Sequence, residues 1–355
     1  MSAGAHRKQA KNSAFLDVCR RLPTSYTPVW LMRQAGRYLP QYRKVRRRYS
    51  FIEMCKTPEL AAEVTLQPVD YLGVDAAILF ADIMLPLEGM GVEFEFAEGE
   101  GPVISEPVKS LKDIRKLRVP EGGESAPYVM ETIKIVRERL AGRAPLIGFS
   151  GAPFTLASYL IEGGHSRNFI ATKRMIYNEP EAFRKLMGKL SDTLSNYLIA
   201  QVKAGAQALQ VFDSWVGIIS PLDYDKFVMP YSKRIFKKLK HLDVPVIHFG
   251  ADTATLLERM REAGGDVISV DWRIPIDEAW RRIGYDRAIQ GNLDPTVLFA
   301  PVKIIKERVR DILKRAASRP GHIFNLGHGV LPKTPPDNVK AMVDMVHEIS
   351  ARGAE

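Results

Sequence analysis

Cysteine is nearly absent: Cys19 and Cys55 are the only two in 355 residues. Two thiols build neither a disulfide framework nor a thiolate-rich metal site, so a cytoplasmic, reducing setting without a structural metal is expected. Long apolar runs are missing as well. Nothing approaches the roughly 18 residues that a membrane helix needs, and the N-terminus lacks the apolar core of a secretory signal. The chain is therefore expected to be soluble, with no membrane partner. Internal repeats, low-complexity linkers and composition breaks are also absent, so residues 14–355 read as one domain behind a flexible basic tail, 1–13.

Acidic residues are missing from one stretch. Between Val18 and Ile52 there is no Asp or Glu, whereas Arg20, Arg21, Arg33, Arg37, Arg43, Lys44, Arg46, Arg47 and Arg48 all fall there. The net charge of +10 is thus partly a local excess. Such an excess attracts an anion, and the candidates are nucleic acid, an acidic membrane surface or a polyanionic small molecule. Few aromatics interleave with these cations and no zinc-finger, RNA-recognition or helix-turn-helix pattern follows, so no nucleic-acid partner is expected. The plain alternative for Arg43 to Arg48 is a solvated basic face.

Short β-rich apolar runs alternate with amphipathic helical stretches. The strand candidates are Val29–Met32, Ala76–Phe80, Pro145–Phe149, Ala208–Phe212, Val244–His248, Val267–Val270, Ala288–Gln290 and His322–Asn325. Helical patterns cover Tyr128–Leu140, Pro180–Ala204, Leu222–Leu239, Thr253–Ala263, Pro301–Ala317 and Asp337–Ile349. Eight strands separated by helix-sized intervals predict an α/β fold, a single-domain distorted (β/α)8 TIM barrel, in preference to an open sheet. The alternating Val92–Phe96, a Gly-rich turn and Pro102–Ser105 predict an added β-hairpin with its acidic face to water.

In a parallel barrel the loops leaving the strand C-termini surround one mouth, where active sites lie. The turns after the eight runs contain Arg33-Gln34-Ala35-Gly36-Arg37-Tyr38, Ala81-Asp82-Ile83, Gly151-Ala152-Pro153-Phe154-Thr155, Asp213-Ser214-Trp215, His248, Asp271-Trp272, Asn292 and Gly327-His328-Gly329. These describe a cavity rimmed by hydrogen-bonding groups.

Five blocks also carry a resemblance. Pro28-Val29-Trp30-Leu31-Met32-Arg33-Gln34-Ala35-Gly36-Arg37-Tyr38-Leu39-Pro40 resembles the N-terminal signature of the uroporphyrinogen decarboxylase family. Phe80-Ala81-Asp82-Ile83, Gly151 to Tyr159, Phe212-Asp213-Ser214-Trp215 and Asn325 to Gly329 resemble further blocks in family order. The resemblance implies a distorted (β/α)8 barrel, usually a homodimer, that works with neither metal nor organic cofactor. The implied substrate is a polyanionic reduced tetrapyrrole with four acetate and four propionate arms, each acetate becoming a methyl group with loss of CO2. Carried over block by block, the implied catalytic residues are Asp82 and Arg33. The implied substrate contacts are Arg33, Gln34, Ala35, Gly36, Arg37, Asp82, Tyr159, Ser214 and His328. His165 departs from the family's usual small residue, and Arg46-Arg47-Arg48 is a heavier basic run than usual.

Each residue type suits its implied task. Losing CO2 from an acetate needs an electron sink, commonly a cofactor, but a pyrrole protonated on carbon can serve. Asp82 would balance that cation through the pyrrole N–H groups; its alternative is a helix cap. Arg33 and Arg37 can grip carboxylates bidentately, and the proton arrives from Arg33 or through bound water. Tyr159, Ser214 and protonated His328 can bond carboxylates, while His248 and Asp271 are read as wall residues. A related barrel family moves methyl groups of corrinoids with zinc on a His-x-Cys pair and a distant Cys. Here His248 is followed two places on by Gly250, and no Cys occurs after Cys55, which weighs against that chemistry. A non-catalytic tetrapyrrole carrier is the other rival reading, and Asp82 with both arginines argues for catalysis.

Overall fold

The computed structural model describes residues 13–97 and 101–351. Its strands in chain order are β1 (Ala77–Ile78), β2 (Phe94–Ala97), β3 (Gly101–Ile104), β4 (Leu146–Gly151), β5 (Ala208–Asp213), β6 (Val246–Gly250), β7 (Val267–Ser269), β8 (Ala288–Gln290) and β9 (His322–Ile323). All but β2 and β3 form one curled parallel sheet in the order β1-β4-β5-β6-β7-β8-β9, surrounded by helices. The pattern is the barrel the sequence predicts. Proline supplies the first turn of several helices, at Pro58, Pro127, Pro153, Pro180 and Pro336, where its missing N–H is not needed.

The eighth barrel position differs from expectation. Val29–Met32 is no strand: only Val29 bridges to Phe324, and Val29 O accepts from Asp75 N at 2.8 Å on its other side. Side chains replace the ladder beyond it. Leu31 N donates to Gln34 Oε1 (3.0 Å) and Met32 N to Asn325 Oδ1 (3.2 Å), so the segment is satisfied without extended pairing. The barrel is closed here by Asp75, whose carboxylate accepts from Val29 N, Tyr26 Oη and His347 Nε2, each at 2.7 Å. Removing an acceptor that joins three elements leaves several polar groups unpaired. Asp75→Ala is therefore expected to lose about 3 kcal/mol of stability, measured by urea unfolding; a loss below about 1 kcal/mol would contradict this closure.

The second run, Ala76–Phe80, shortens to two paired residues because the chain leaves the sheet at Phe80, whose N–H turns to Thr65 Oγ1 at 2.8 Å. The ladder positions thus vacated on β4 are filled by Gln201, which bonds both Phe149 N and Phe149 O at 2.8 Å. This early departure carries Asp82 to the mouth. Other boundaries also move. The run Val244–His248 pairs as β6, two residues later, and Thr253–Ala263 is helical only from Leu257. Leu222–Leu239 is split into one turn, a wide π turn at Tyr224–Val228, and the helix Met229–Leu239 with Pro230 in its first turn. Short helices at Pro40–Arg46 and Phe51–Lys56, which the periodicity does not show, cover the mouth end of β1: Tyr42 and Phe51 both stack edge-on against Phe80.

The hairpin β2–β3 stands apart, with Phe96 against Phe51 and Glu93 and Glu95 exposed, as the alternation predicts. The Gly-rich turn between its strands lies outside the described residues. So do residues 1–12 of the expected tail, whereas Ser13 caps the helix Ala14–Cys19. Both cysteines are buried and free. Among the described residues no helix is long and apolar enough to cross a membrane.

Candidate active site

The barrel's waist is polar: Trp30 Nε1 donates to Gln290 Oε1 (2.8 Å), and Gln290 Nε2 donates to Ser269 Oγ (2.9 Å) and Gln210 Oε1 (3.1 Å). Nearer the strand C-termini, Phe149, Phe212 and Phe249 stack edge to face with centroids 5.5 and 5.6 Å apart, and Phe249 reaches His328 at 6.2 Å. These rings make an apolar floor. The charged residues sit around it.

The loop Arg33–Tyr38 is bent tightly. Arg33 takes a left-handed backbone (φ 60°), and a Cβ on Gly36 would lie 2.9 Å from Arg33 O, so the turn back requires glycine there. Gly329 serves the side chain instead, because a Cβ on it would lie 2.4 Å from Arg33 Cδ. Gln34, expected at the substrate, has a fully buried side chain that bonds Leu31 N and Ala76 O (3.1 Å). It braces the loop and the barrel closure. Ala35 and Gly36 are half-buried, and Arg37 is exposed at the loop's outer end. Sequence reasoning missed the role of Arg43, which donates to Arg37 O (3.1 Å) and Tyr38 O (2.7 Å) and so fastens this loop to the next helix. Its position ten residues after Arg33, beyond Pro40, gave no signal of that.

Asp82 is half-buried. Met84 N donates to its Oδ1 at 2.9 Å, so the capping alternative is partly realised, and the second oxygen is left open to the mouth. Burial pushes its pKa up to about 6, against the Met84 N–H and the Arg33 cation, which favour the ionised form. At neutral pH the carboxylate is ionised but close to taking up a proton.

Tyr159, in the helix Pro153–Glu162, stacks edge-on with Trp215 at 5.8 Å. Burial and then the Asp82 charge raise its phenol pKa, while Trp215 and Arg33 oppose them. Asp82, Arg33 and Tyr159 therefore share one electrostatic environment. The helix bearing Tyr159 and the loop bearing Ser214 are joined underneath. Thr155 Oγ1 donates to the buried Asp213 carboxylate at 2.8 Å and accepts from Trp215 N at 3.2 Å. Burial pushes Asp213 up to about 7. Ser214 itself is half-buried, at the mouth end of β5.

His328 is half-buried. Burial first, then Arg33 and Arg273, push its pKa down to about 4, with Asp271 the only opposing influence. It enters the site as a neutral donor or acceptor, where the sequence suggested a cation. Asp271 accepts from Asp252 N (2.6 Å) and from Arg273 Nη1 (2.8 Å), tying the loops after β6 and β7 together. His248 faces the helical layer, 4.8 Å from the Phe236 ring, with Nδ1 3.2 Å from Gly264 O. Among the described residues no three His, Cys, Asp or Glu side chains converge as a metal ion requires. The structure thus gathers Arg33, Asp82, Tyr159 and His328 and places Arg37 and Ser214 on the rim.

Known proteins resemble the chain over nearly its whole length. A family model described as uroporphyrinogen decarboxylase (URO-D) matches residues 10–349. The chain is 59% identical to a uroporphyrinogen decarboxylase of Carboxydothermus hydrogenoformans over 97% of its own length and 98% of the relative's. It is 58% identical to one of Sorangium cellulosum, covering 94% and 96% of the two chains. Among solved structures, a methyltransferase from Methanosarcina mazei superposes with a TM-score of 0.79 over 95% of this chain and 98% of that one. At 22% identity that likeness concerns the fold alone.

Proposed function

Since the chain belongs to the uroporphyrinogen decarboxylase family, we propose that it removes CO2 from the four acetate arms of uroporphyrinogen III, giving coproporphyrinogen III. The observation that carries the reading is Asp82: a carboxylate held by one backbone bond, open on its other oxygen and within the field of Arg33. Protonation of a pyrrole carbon makes the ring cationic. Heterolysis of the bond to the carboxylate then sends its electron pair into that ring, CO2 leaves, and the resulting methylene takes up a proton while the ring carbon loses one. The net change is an acetate plus a proton to a methyl group plus CO2. Asp82, ionised, favours the cation that exists only along this path, which is selective stabilisation of the transition state. Arg33 grips the carboxylate arms, and neutral His328 and Tyr159 supply directional hydrogen bonds.

In this reading the pyrrole is the electron sink, residues 14–355 act as one domain, and the protein works in the cytoplasm as a homodimer. Exposed Ile170, Tyr177 and Leu222, on the helix Ile170–Asn178 and the turn after β5, give an apolar face that suits a second copy. Anaerobic incubation with reduced uroporphyrinogen tests the activity: the product should carry four carboxylates in place of eight, and recovery of unaltered substrate would reject it. Gly329→Ala is expected to lower kcat/KM on the order of 10²-fold by displacing Arg33, with an unchanged circular dichroism spectrum; a near-normal value would show that Arg33 is not placed by Gly329.

A further inference from the structure

Apart from Arg43, which fastens the Arg33–Tyr38 loop, the basic run of the N-terminal segment is not absorbed by the site. Arg43, Lys44, Arg46, Arg47 and Arg48 are all exposed, on the helix Pro40–Arg46 and the turn after it. Many of the chain's other arginines pair with acids, for example Arg143 with Asp70, Arg259 with Asp225 and Arg282 with Glu258. Among the described residues, none of these five makes an ion pair, and the nearest acid in sequence, Glu53, is engaged in capping Ser50. Their helix is seated on the mouth, since Tyr42 on its buried side stacks against Phe80, two residues before Asp82. Cations without an acidic partner on a helix seated at the mouth are a standing field for an anion that enters.

We infer that this segment is an anion-holding apron that retains the macrocycle between successive decarboxylations. The inference rests on the proposed function. Four acetates must each reach the one Asp82, so the macrocycle has to release its grip and turn between rounds. Its propionates are not consumed, and the charge that the apron attracts therefore persists to the last step. Screening limits the field to about 10 Å at 0.1 M salt, so the hold should weaken as salt is added.

The test compares the triple variant Lys44→Gln, Arg47→Gln, Arg48→Gln with an equal charge change at the other end of the barrel, Arg310→Gln, Lys314→Gln, Arg319→Gln, near the start of β9. Labelled uroporphyrinogen is pulsed and chased with excess unlabelled substrate, and the products are sorted by carboxylate number. The apron variant should release several-fold more seven-, six- and five-carboxylate intermediates, and its kcat/KM should be about 10-fold lower at low ionic strength but equal to the parent's at high salt. The rate of the first decarboxylation in a single turnover should be unchanged, and the control should behave as the parent. An intermediate distribution and salt dependence matching the parent would overturn the apron, as would equal changes in the control. If the parent itself releases no CO2, the functional reading fails instead.

Discussion

Arg33→Met should reduce kcat/KM by on the order of 10²- to 10³-fold, the size typical of losing a stabilising group aimed at developing charge. Methionine keeps the unbranched stem that Gly329 accommodates and removes only the guanidinium. The pH profile should move with it. Asp82 acts ionised, so in the parent the acid limb falls near the value of about 6 to which burial pushes it. Arg33 holds that value down, and without it Asp82 rises further and the limb shifts to higher pH. His328 also rises, because Arg33 is one of the charges that depress it. A profile with the acid limb unmoved would mean that Arg33 does not face Asp82 in the working enzyme.

Asp82→Asn is expected to change two properties in opposite directions. Turnover should fall about 10²- to 10³-fold, because the amide keeps the size and one acceptor but not the charge. Stability should rise. A carboxyl whose pKa is raised by folding binds more protons in the folded than in the unfolded state, so its ionisation opposes folding as pH increases through about 4 to about 6. The shift corresponds to roughly 3 kcal/mol above pH 6, and asparagine removes that penalty while still accepting from Met84 N. The variant should therefore unfold at higher urea concentration than the parent at pH 7.5, with the difference disappearing below about pH 4. Asp82→Glu, which keeps the charge but shifts it by one methylene, should retain part of the rate. Equal stability of the parent and Asp82→Asn at pH 7.5 would show that the carboxylate is not strained by burial.

The barrel was legible because buried strands need apolar runs and the intervening helices need amphipathic ones, and the mouth followed from the turns after those runs. Val29–Met32 misled for a local reason. An apolar run marks burial, but whether its N–H groups bond a strand or the side chains of Gln34 and Asn325 depends on residues 3 to 293 positions away. The bonds of the Gln34 amide to Leu31 N and Ala76 O were not legible for the same reason, since adjacency to Arg33 in a motif does not show which way an amide points. The charge of His328 was not readable either: its depressed pKa comes from burial and from Arg33 and Arg273, which meet it only in the folded chain. Arg33 and Asp82 were singled out by the blocks that resemble the uroporphyrinogen decarboxylase family; position after an apolar run alone suits a helix cap equally well.

The central claim is that the Asp82 charge stabilises a species present only after the pyrrole is protonated. It is tested most directly by the rate of first CO2 release from Asp82→Asn in a single turnover at saturating substrate, with substrate affinity measured beside it. The account predicts a rate lower by on the order of 10²- to 10³-fold with little change in affinity. A near-parental rate, with or without weakened binding, would reduce Asp82 to a cap on Met84 or a binding contact and contradict the mechanism.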